Sequence, residues 1–462
     1  MNENNTLTSQ DKERFKEIGV NTKSGGFKRL YKAGLLNDID DNFAHEAKKY
    51  WKKHYNKEID PVLHLAYMNL TGKKDPRILP SKEMWREIIP FINDMNIRVG
   101  YSDKNIYDLL IKIPTSAEIV LKRVRGHYFN PRNQEIDKSN AYKLLIQSKS
   151  DLIIKPSDTD NGKGIEKLII QDEKVYLNDI LIAIDDLEVM YGFNFVVQKV
   201  IKQHPIMAAP HPASVNTLRM VTLRWNREIH YLLTFARFGS NEAVNDNAGT
   251  GGICVGVTDS GEFMNFAIDE QANVHKNHPS TNYSFENYAK IPNFEKFKKV
   301  VVEAHQNILH HDFVSWDIAV GVKGEPIFIE ANYRGATWLY QLATEQPLFG
   351  DLTEEILQYV STELATNKLN RNVASNIPRL KSNNKKLKIE NEKLKINNNK
   401  IKYKNKKSKR EIDKLKEDLN SIKKVEREYE KIKKELDKTK QSRSWKYTLP
   451  FRKISKILKS YL

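Results

Sequence analysis

The 462-residue sequence predicts an α+β fold with mainly antiparallel sheets, a helical region before it and a long helix after it. Three observations carry that prediction. Residues 1 to about 95 place apolar side chains at helical spacing, as in Phe27, Leu30 and Tyr31, then Tyr50, Trp51 and Tyr55. From 96 to 367, runs rich in β-branched and aromatic residues alternate with turns and a few helical stretches. Past Asn370 the composition turns to Lys, Asn, Glu, Leu and Ile, and residues 379–440 contain neither Gly nor Pro.

The elements follow in order. Residues 1–95 hold no cluster of reactive side chains and read as a packing module. The strands of 96–367 are LIIKP, FVVQKVI, LRMVTLRW, EIHYLLTFARF, GGICVGV and the hairpin SWDIAVGVKGEPIFIEAN; FEKFKKVVVEAHQNIL is helical. In 368–440, Leu380, Leu387, Leu394 and Ile401 recur every seven residues, as do Ile389, Ile396 and Tyr403. These rows sit roughly 200° apart on a helix and form no single seam. Ile412, Leu415, Leu419, Ile422, Val425, Tyr429, Ile432 and Leu436 make a better coiled-coil seam, with a slipped step between Ile422 and Val425. Residues 441–462 form a basic amphipathic tail, with Pro450 confining any helix to its final part; it suits an anionic membrane surface or a partner protein.

Composition narrows the classes. A single cysteine, Cys254, excludes an intrachain disulfide framework and fits a reducing, cytoplasmic setting. The first thirty residues lack a signal-peptide core, and no apolar run approaches the roughly 18 residues of a membrane span. From Lys368 to Leu462 there are 32 basic and 11 acidic residues, a net of +21. The first 367 residues hold 44 basic against 48 acidic, a net of −4, so the basic charge belongs to the tail and gives no nucleic-acid reading.

Four stretches carry chemistry. The hairpin has three polar strand positions, Asp317, Glu330 and Asn332. A two-residue loop at Lys323-Gly324 sets Asp317 opposite Glu330, and a four-residue loop sets it opposite Asn332. Either even loop gathers all three on one face, where opposed carboxylates need a cation; a three-residue loop would turn Asp317 away. The alternative is a solvated strand face. LIIKPSDTDNGKGI delivers Lys155 from a strand into a loop containing Ser157, Gly162 and Gly164, whose backbone N–H groups could cover phosphates or simply make a turn. SVNTLRMVT puts Asn216 and Arg219 at a strand start, and Arg grips phosphate well. AVNDNAGTGGI, with Asn247, Gly251 and Gly252, is a loop able to approach a ligand.

In this order and spacing, YSDKNIYDLL, LIIKPSDTDNGKGI, VVQKVIKQHP, SVNTLRMVT, the Asn-rich GGI segment, SWDIAV and FIEANYRG resemble the ATP-grasp superfamily. The similarity is to its members associated with sugar transfer in bacterial polysaccharide gene clusters, over roughly Tyr101 to Leu352. It implies two α+β lobes clamping ATP. It also implies that Lys104 and Lys155 contact phosphates, with Ser157, Gly162 and Gly164 in the covering loop. Gln198, Lys199 and Ile201 would lie by adenine, and Arg219 would reach the γ-phosphate. Asp317, Glu330 and Asn332 would bind Mg²⁺, while Asn216, Asn247, Gly251 and Gly252 would lie on the acceptor side. Lys163 between the loop glycines departs from the longer glycine run of the family.

The resemblance implies an ATP-dependent carboxylate–amine ligase working through an acyl phosphate, with Arg219 and Lys155 catalytic and the co-substrates sugar-linked. It requires no Ser-His-Asp arrangement, which leaves His204, His211 and the His310-His311 pair structural or substrate-adjacent rather than catalytic. A phosphotransferase acting on a hydroxyl and a non-catalytic scaffold for glycosyltransferases are the alternatives. SRSWKYTLPFRKI is similar to a segment that follows coiled coils in bacterial glycosyltransferases, which implies the same polysaccharide setting. The C-terminal helix is expected to self-associate or to contact a glycosyltransferase, in the cytoplasm or at the inner face of the cell membrane.

Overall fold

A computed structural model describes residues 7–159, 164–240, 251–286, 290–366, 412, 416 and 419–459. The chain divides into two compact units, Met1–Ala365 and Thr366–Leu462. In the first, helices α1 (Ser9–Glu17), α2 (Gly25–Lys32), α3 (Asp41–Tyr55) and α4 (Val62–Thr71) precede a composite helix α5. Helix α5 starts as Ser81–Glu83, widens to a π turn at Met84–Ile88 and closes as Ile89–Ile92. Thr8, Ser24 and Asp40 cap α1 to α3 by accepting from backbone N–H groups of Asp11, Phe27 and Phe43.

Two antiparallel sheets follow. The first contains β1 (Ile119–Val124), β2 (His127–Phe129), β3 (Glu135–Ile136), β4 (Leu152–Pro156), β5 (Glu166–Gln171), β6 (Lys174–Leu177), β7 (Ile180–Ile182) and β8 (Phe195–Lys199). Their order is β3-β2-β1-β8-β4-β5-β6-β7. Helices α6 (Lys138–Gln147) and α7 (Ile184–Tyr191) contribute Ala141, Leu145, Ile184 and Leu187 to its core. The second sheet contains β9 (Thr217–Trp225), β10 (Glu228–Phe238), β11 (Ile253–Val257), β12 (Phe263–Asp269), β13 (Val274–His275), β14 (Phe313–Val320) and β15 (Pro326–Asn332). Its order is β13-β12-β11-β10-β9-β14-β15.

Period-two alternation gives the second sheet two apolar faces. Leu218, Met220, Val255 and Ile318 pack with Phe297, Val301 and Ala304 of α8 (Phe294–His305). Val221, Leu223, Phe235 and Cys254 share the other core with α9 (Thr337–Thr344), α10 (Thr353–Thr366) and α1 to α5. The N-terminal helices are therefore built onto this sheet: Tyr67 Oη donates to Glu345 O (2.7 Å), and Leu79 N–H donates to Gln341 Oε1 (2.8 Å).

In the second unit, residues 419–441 are helical and their side chains exposed; Leu419, Ile422, Val425, Tyr429, Ile432 and Leu436 are 45–65% accessible. The earlier heptad rows and Leu415 lie outside the described residues. Pro450 sits in the first turn of the last helix, Leu449–Leu458, where its missing N–H costs nothing, so that helix occupies the final part of the tail as expected; a short helix, Arg443–Tyr447, precedes it. Among the described residues, no helix is long and apolar enough to cross a membrane.

Candidate active site

The hairpin of β14 and β15 departs from the expected loop parity and keeps the expected pairing. Gly321 N–H donates to Glu325 O and Gly324 N–H to Gly321 O, both at 2.8 Å. This closes a three-residue loop, with Gly324 at φ +73°. An odd loop alone would set Asp317 against Ile329. Instead the register shifts by one residue between Asp317 and Ile318, and Asp317 lies opposite Glu330. Ile329 is the extra residue of a β-bulge, and the bulge restores the face that the loop would have lost.

The neighbouring strands complete a row. Arg219 lies opposite Asp317 across β9 and β14, and Phe235 lies opposite Arg219 across β10. Cross-strand neighbours share a face, so Arg219, Asp317 and Glu330 line up on it. Arg219 donates from Nε to Asp317 Oδ1 (2.5 Å) and from Nη2 to Oδ2 (2.8 Å), a bidentate pair. Its Nη1 donates to Tyr340 Oη at 3.0 Å. Arg237 Nη1 adds a 3.0 Å bond to Asp317 Oδ2. Asn332 Nδ2 lies 3.3 Å from both Asp317 Oδ2 and Glu330 Oε1.

This row faces a cavity of about 250 Å³ that the first sheet also lines, through Ile153, Lys155, Gln198 and Lys199. Lys104 and Lys155 are buried beside Glu330, and Lys104 Nζ stands 3.7 Å from Glu330 Oε2. Lys104 Nζ also donates to Thr159 O (2.8 Å) and its N–H to Ser157 O (2.9 Å), which ties it to the loop after β4. Burial, with Lys104 close by, pushes Lys155 down to about 8. Burial pushes Glu330 up, but Lys104 and Lys155 outweigh it and hold the carboxyl down at about 2. Burial raises the Asp317 carboxyl, with Arg219 and Arg237 pulling against it. Six basic side chains thus line the cavity against three carboxyl groups, Glu270, Asp317 and Glu330, while Ala117, Ile165, Ile201 and Leu339 give an apolar lining. Such a cavity can hold a flat apolar group and a strongly anionic one together.

Of the expected residues, Lys104, Lys155, Gln198, Lys199, Ile201, Arg219, Asp317, Glu330 and Asn332 all line this cavity. Gly164 lies on the loop at φ +73°, where a side chain would be strained. Ser157 is fully buried and does not line the cavity. Asn216 was expected to face an acceptor, but its carboxamide is buried and engaged. Its Nδ2 donates to Met207 O (2.6 Å) and His211 O (2.8 Å), and its Oδ1 accepts from Ser214 Oγ and Gly239 N–H. It ties the loop before β9 to the end of β10. Gly251 and Gly252 do not line the cavity, and Gly162 and Asn247 lie outside the described residues. Arg237 and Tyr340 escaped the sequence reading. Arg237 had a signal: a charged residue in the apolar strand LLTFARF, two places from Phe235 and so on its face.

The donor set suits a hard divalent cation, which prefers carboxylate and carboxamide oxygen. Glu330 and Asn332 fit that preference directly, whereas both oxygens of Asp317 already accept from guanidinium groups.

The model of the sugar-transfer-associated ATP-grasp family matches residues 83–356. No curated protein matches the chain. Among solved structures, it is similar to D-alanine–D-alanine ligase from Bacillus anthracis, at 14% identity and TM-score 0.31 over 57% of this chain and 69% of that one. It is also similar to L-amino acid ligase from Bacillus licheniformis (11%, TM-score 0.31, 57% and 48%). A third is VanG D-Ala:D-Ser ligase from Enterococcus faecalis (12%, TM-score 0.33, 57% and 61%). The match thus spans about half the length of the L-amino acid ligase. With its family model running from α5 through both sheets to α10, and the charged row of Arg219, Asp317 and Glu330 inside that span, the chain belongs to the sugar-transfer-associated ATP-grasp family.

Proposed function

We propose that the chain is a Mg²⁺-dependent, ATP-consuming ligase that joins a carboxylate to an amine, both sugar-linked, in making or modifying a bacterial cell-surface polysaccharide. The observation that carries this reading is the excess of basic over acidic side chains in one cavity lining, with Lys104, Lys155, Arg219 and Arg237 gathered around Asp317 and Glu330, beside an apolar slot. That excess suits a triphosphate at one end and a purine at the other, with Gln198, Lys199 and Ile201 beside the base. In the reaction a carboxylate oxygen bonds to the γ-phosphorus as the bond to the β–γ bridging oxygen breaks and ADP leaves. The amine then attacks the acyl carbon, inorganic phosphate departs, and the amine loses a proton. Arg219 and Lys155 are fixed beside the charge that develops on the transferring group, so no reorganisation is needed as it moves. Glu330 and Asn332, with Asp317, would hold Mg²⁺, which supplies further positive charge to the phosphates.

Setting is part of the same reading: a cytoplasmic enzyme whose basic helix Leu449–Leu458 meets an anionic membrane or a glycosyltransferase. Phe451, Ile454 and Ile457 are exposed there alongside Arg452, Lys453 and Lys456. Glu330→Gln is the test of the site. It should abolish Mg-ATP-dependent phosphate release and weaken Mg-ATP binding; unchanged binding and turnover would remove the metal assignment. Free phosphate released only when both co-substrates are present marks a ligase, and phosphate retained on the product marks a kinase.

A further inference from the structure

A second cavity, of about 970 Å³, lies beside the first, between the N-terminal helices and the segment that follows β15. Asn332, Arg334, Gly335 and Ala336 line both cavities, so this segment is the wall between them. The N-terminal helices are therefore more than packing.

Three features of the second cavity point to one ligand chemistry. Five basic side chains line it, Arg29, Lys82, Arg86, Arg98 and Arg334, against two carboxyl groups, Asp60 and Glu83. Asp60 already accepts from the N–H groups of Asn21 (3.1 Å) and Val62 (3.0 Å), and Glu83 lies 3.7 Å from Lys82 Nζ, so both carboxyls already have partners in this lining. Next, two guanidinium groups lie over indole rings. Arg29 Cζ is 4.6 Å from the Trp338 centroid, and Arg334 Cζ is 4.8 Å from that of Trp85. Stacking holds a guanidinium by its face and directs its N–H edge to an oxyanion. Trp85 is also 46% exposed, a flat apolar surface left open to solvent. Finally, α2, α4 and α9 all begin at this cavity, where Gly26, Val62 and Thr337 line it, and the positive ends of their dipoles add to the same sign.

We propose that the second cavity is the co-substrate site and takes an anionic sugar, its ring against the indoles and its carboxylate or phosphate on Arg29 and Arg86. The co-substrate role rests on the nucleotide reading of the first cavity; the ligand class rests on the second cavity alone. Because Asn332, Arg334, Gly335 and Ala336 line both cavities, a sugar seated here borders the cavity that holds Lys104, Arg219 and Glu330.

Titration calorimetry of the full chain with glucuronic acid, glucose 1-phosphate and glucose, each with Mg-ADP present, tests this. One or both anionic sugars should bind saturably at about 1 mM or tighter, and glucose should not. Which of them binds separates a carboxylate from a phosphate ligand. Arg29→Ala with Arg86→Ala should weaken that binding by about tenfold or more and leave Mg-ADP affinity unchanged. Arg86 is exposed, so Arg86→Ala alone carries the same test if the double variant misfolds. Equal binding of glucose, binding undiminished in the Arg variants, or binding of Mg-ADP with neither acid overturns the proposal. Loss of Mg-ADP binding with an acid still bound overturns the nucleotide reading and leaves the ligand class standing. A chain that binds none of them overturns both.

Discussion

The two walls of the first cavity handle charge in opposite ways. On the second sheet, the buried Asp317 is held at hydrogen-bond distance by Nε and Nη2 of Arg219 and by Nη1 of Arg237. On the first sheet, Lys155 is buried beside Lys104, a like charge, and its pKa falls to about 8. One wall pairs its cations directly with a carboxylate, and the other is left with positive charge to be answered. A residue of either wall can therefore matter to the site while contributing to stability with opposite sign.

The largest effect should come from breaking the paired wall. Arg219→Ala leaves Asp317 buried without its main partner, and loss of one member of a buried pair costs about 3–5 kcal/mol. Chemical denaturation should show that loss, and Mg-ATP-dependent phosphate release should vanish. Lys155→Met is the opposite experiment. It removes an under-compensated buried cation, so stability should hold or rise while Mg-ATP affinity falls by about tenfold or more. A variant that lost both stability and affinity would place Lys155 with the Arg219 wall and erase the contrast.

The pH dependence sharpens the same point. A lysine whose folded pKa lies below its unfolded value destabilises the fold fully below about 8, and the penalty fades as pH rises toward the ordinary lysine value. The stability of the native chain should thus approach that of Lys155→Met above pH 8. Mg-ATP affinity should fall over the same range, because the nucleotide needs the protonated amine. Denaturation and binding measured from pH 7 to about 10 would show both trends.

Gly335→Ala should act more weakly and chiefly on the site. A Cβ at Gly335 would clash with Tyr340 Oη, the hydroxyl that accepts from Arg219 Nη1. Displacing that ring costs about 1–3 kcal/mol and moves the Arg219 fork, so turnover should drop more than the melting point does. Equal losses in both would make Gly335 a packing residue.

What the sequence made legible follows from where each signal sits along the chain. The row of Arg219, Asp317, Glu330 and Asn332 could be found because each residue interrupts an apolar strand, and strand periodicity assigns it a face. The Ile329 bulge could not, since an inserted residue looks like any other Ile until the loop length is known. Asn216 misled for the opposite reason. A carboxamide before a strand suits a ligand or a loop anchor equally, and only its hydrogen bonds decide for the anchor. The second cavity was invisible because its lining is drawn from helices far apart in sequence, whose individual Arg and Trp residues each look ordinary.

The smallest effect is expected from the second unit. Truncation after Asn370 removes the exposed helices of 419–458 and leaves Met1–Ala365, which holds both cavities and all three apolar clusters. Mg-ATP affinity should stay within about twofold, because no cavity wall is lost. The apolar row from Leu419 to Leu436 is exposed along its length, so whatever it contributes must come through a partner surface. Sedimentation of the full and truncated chains would show whether that partner is a second copy. If truncation instead abolished Mg-ATP binding, the charged walls could no longer be treated as complete within the first unit.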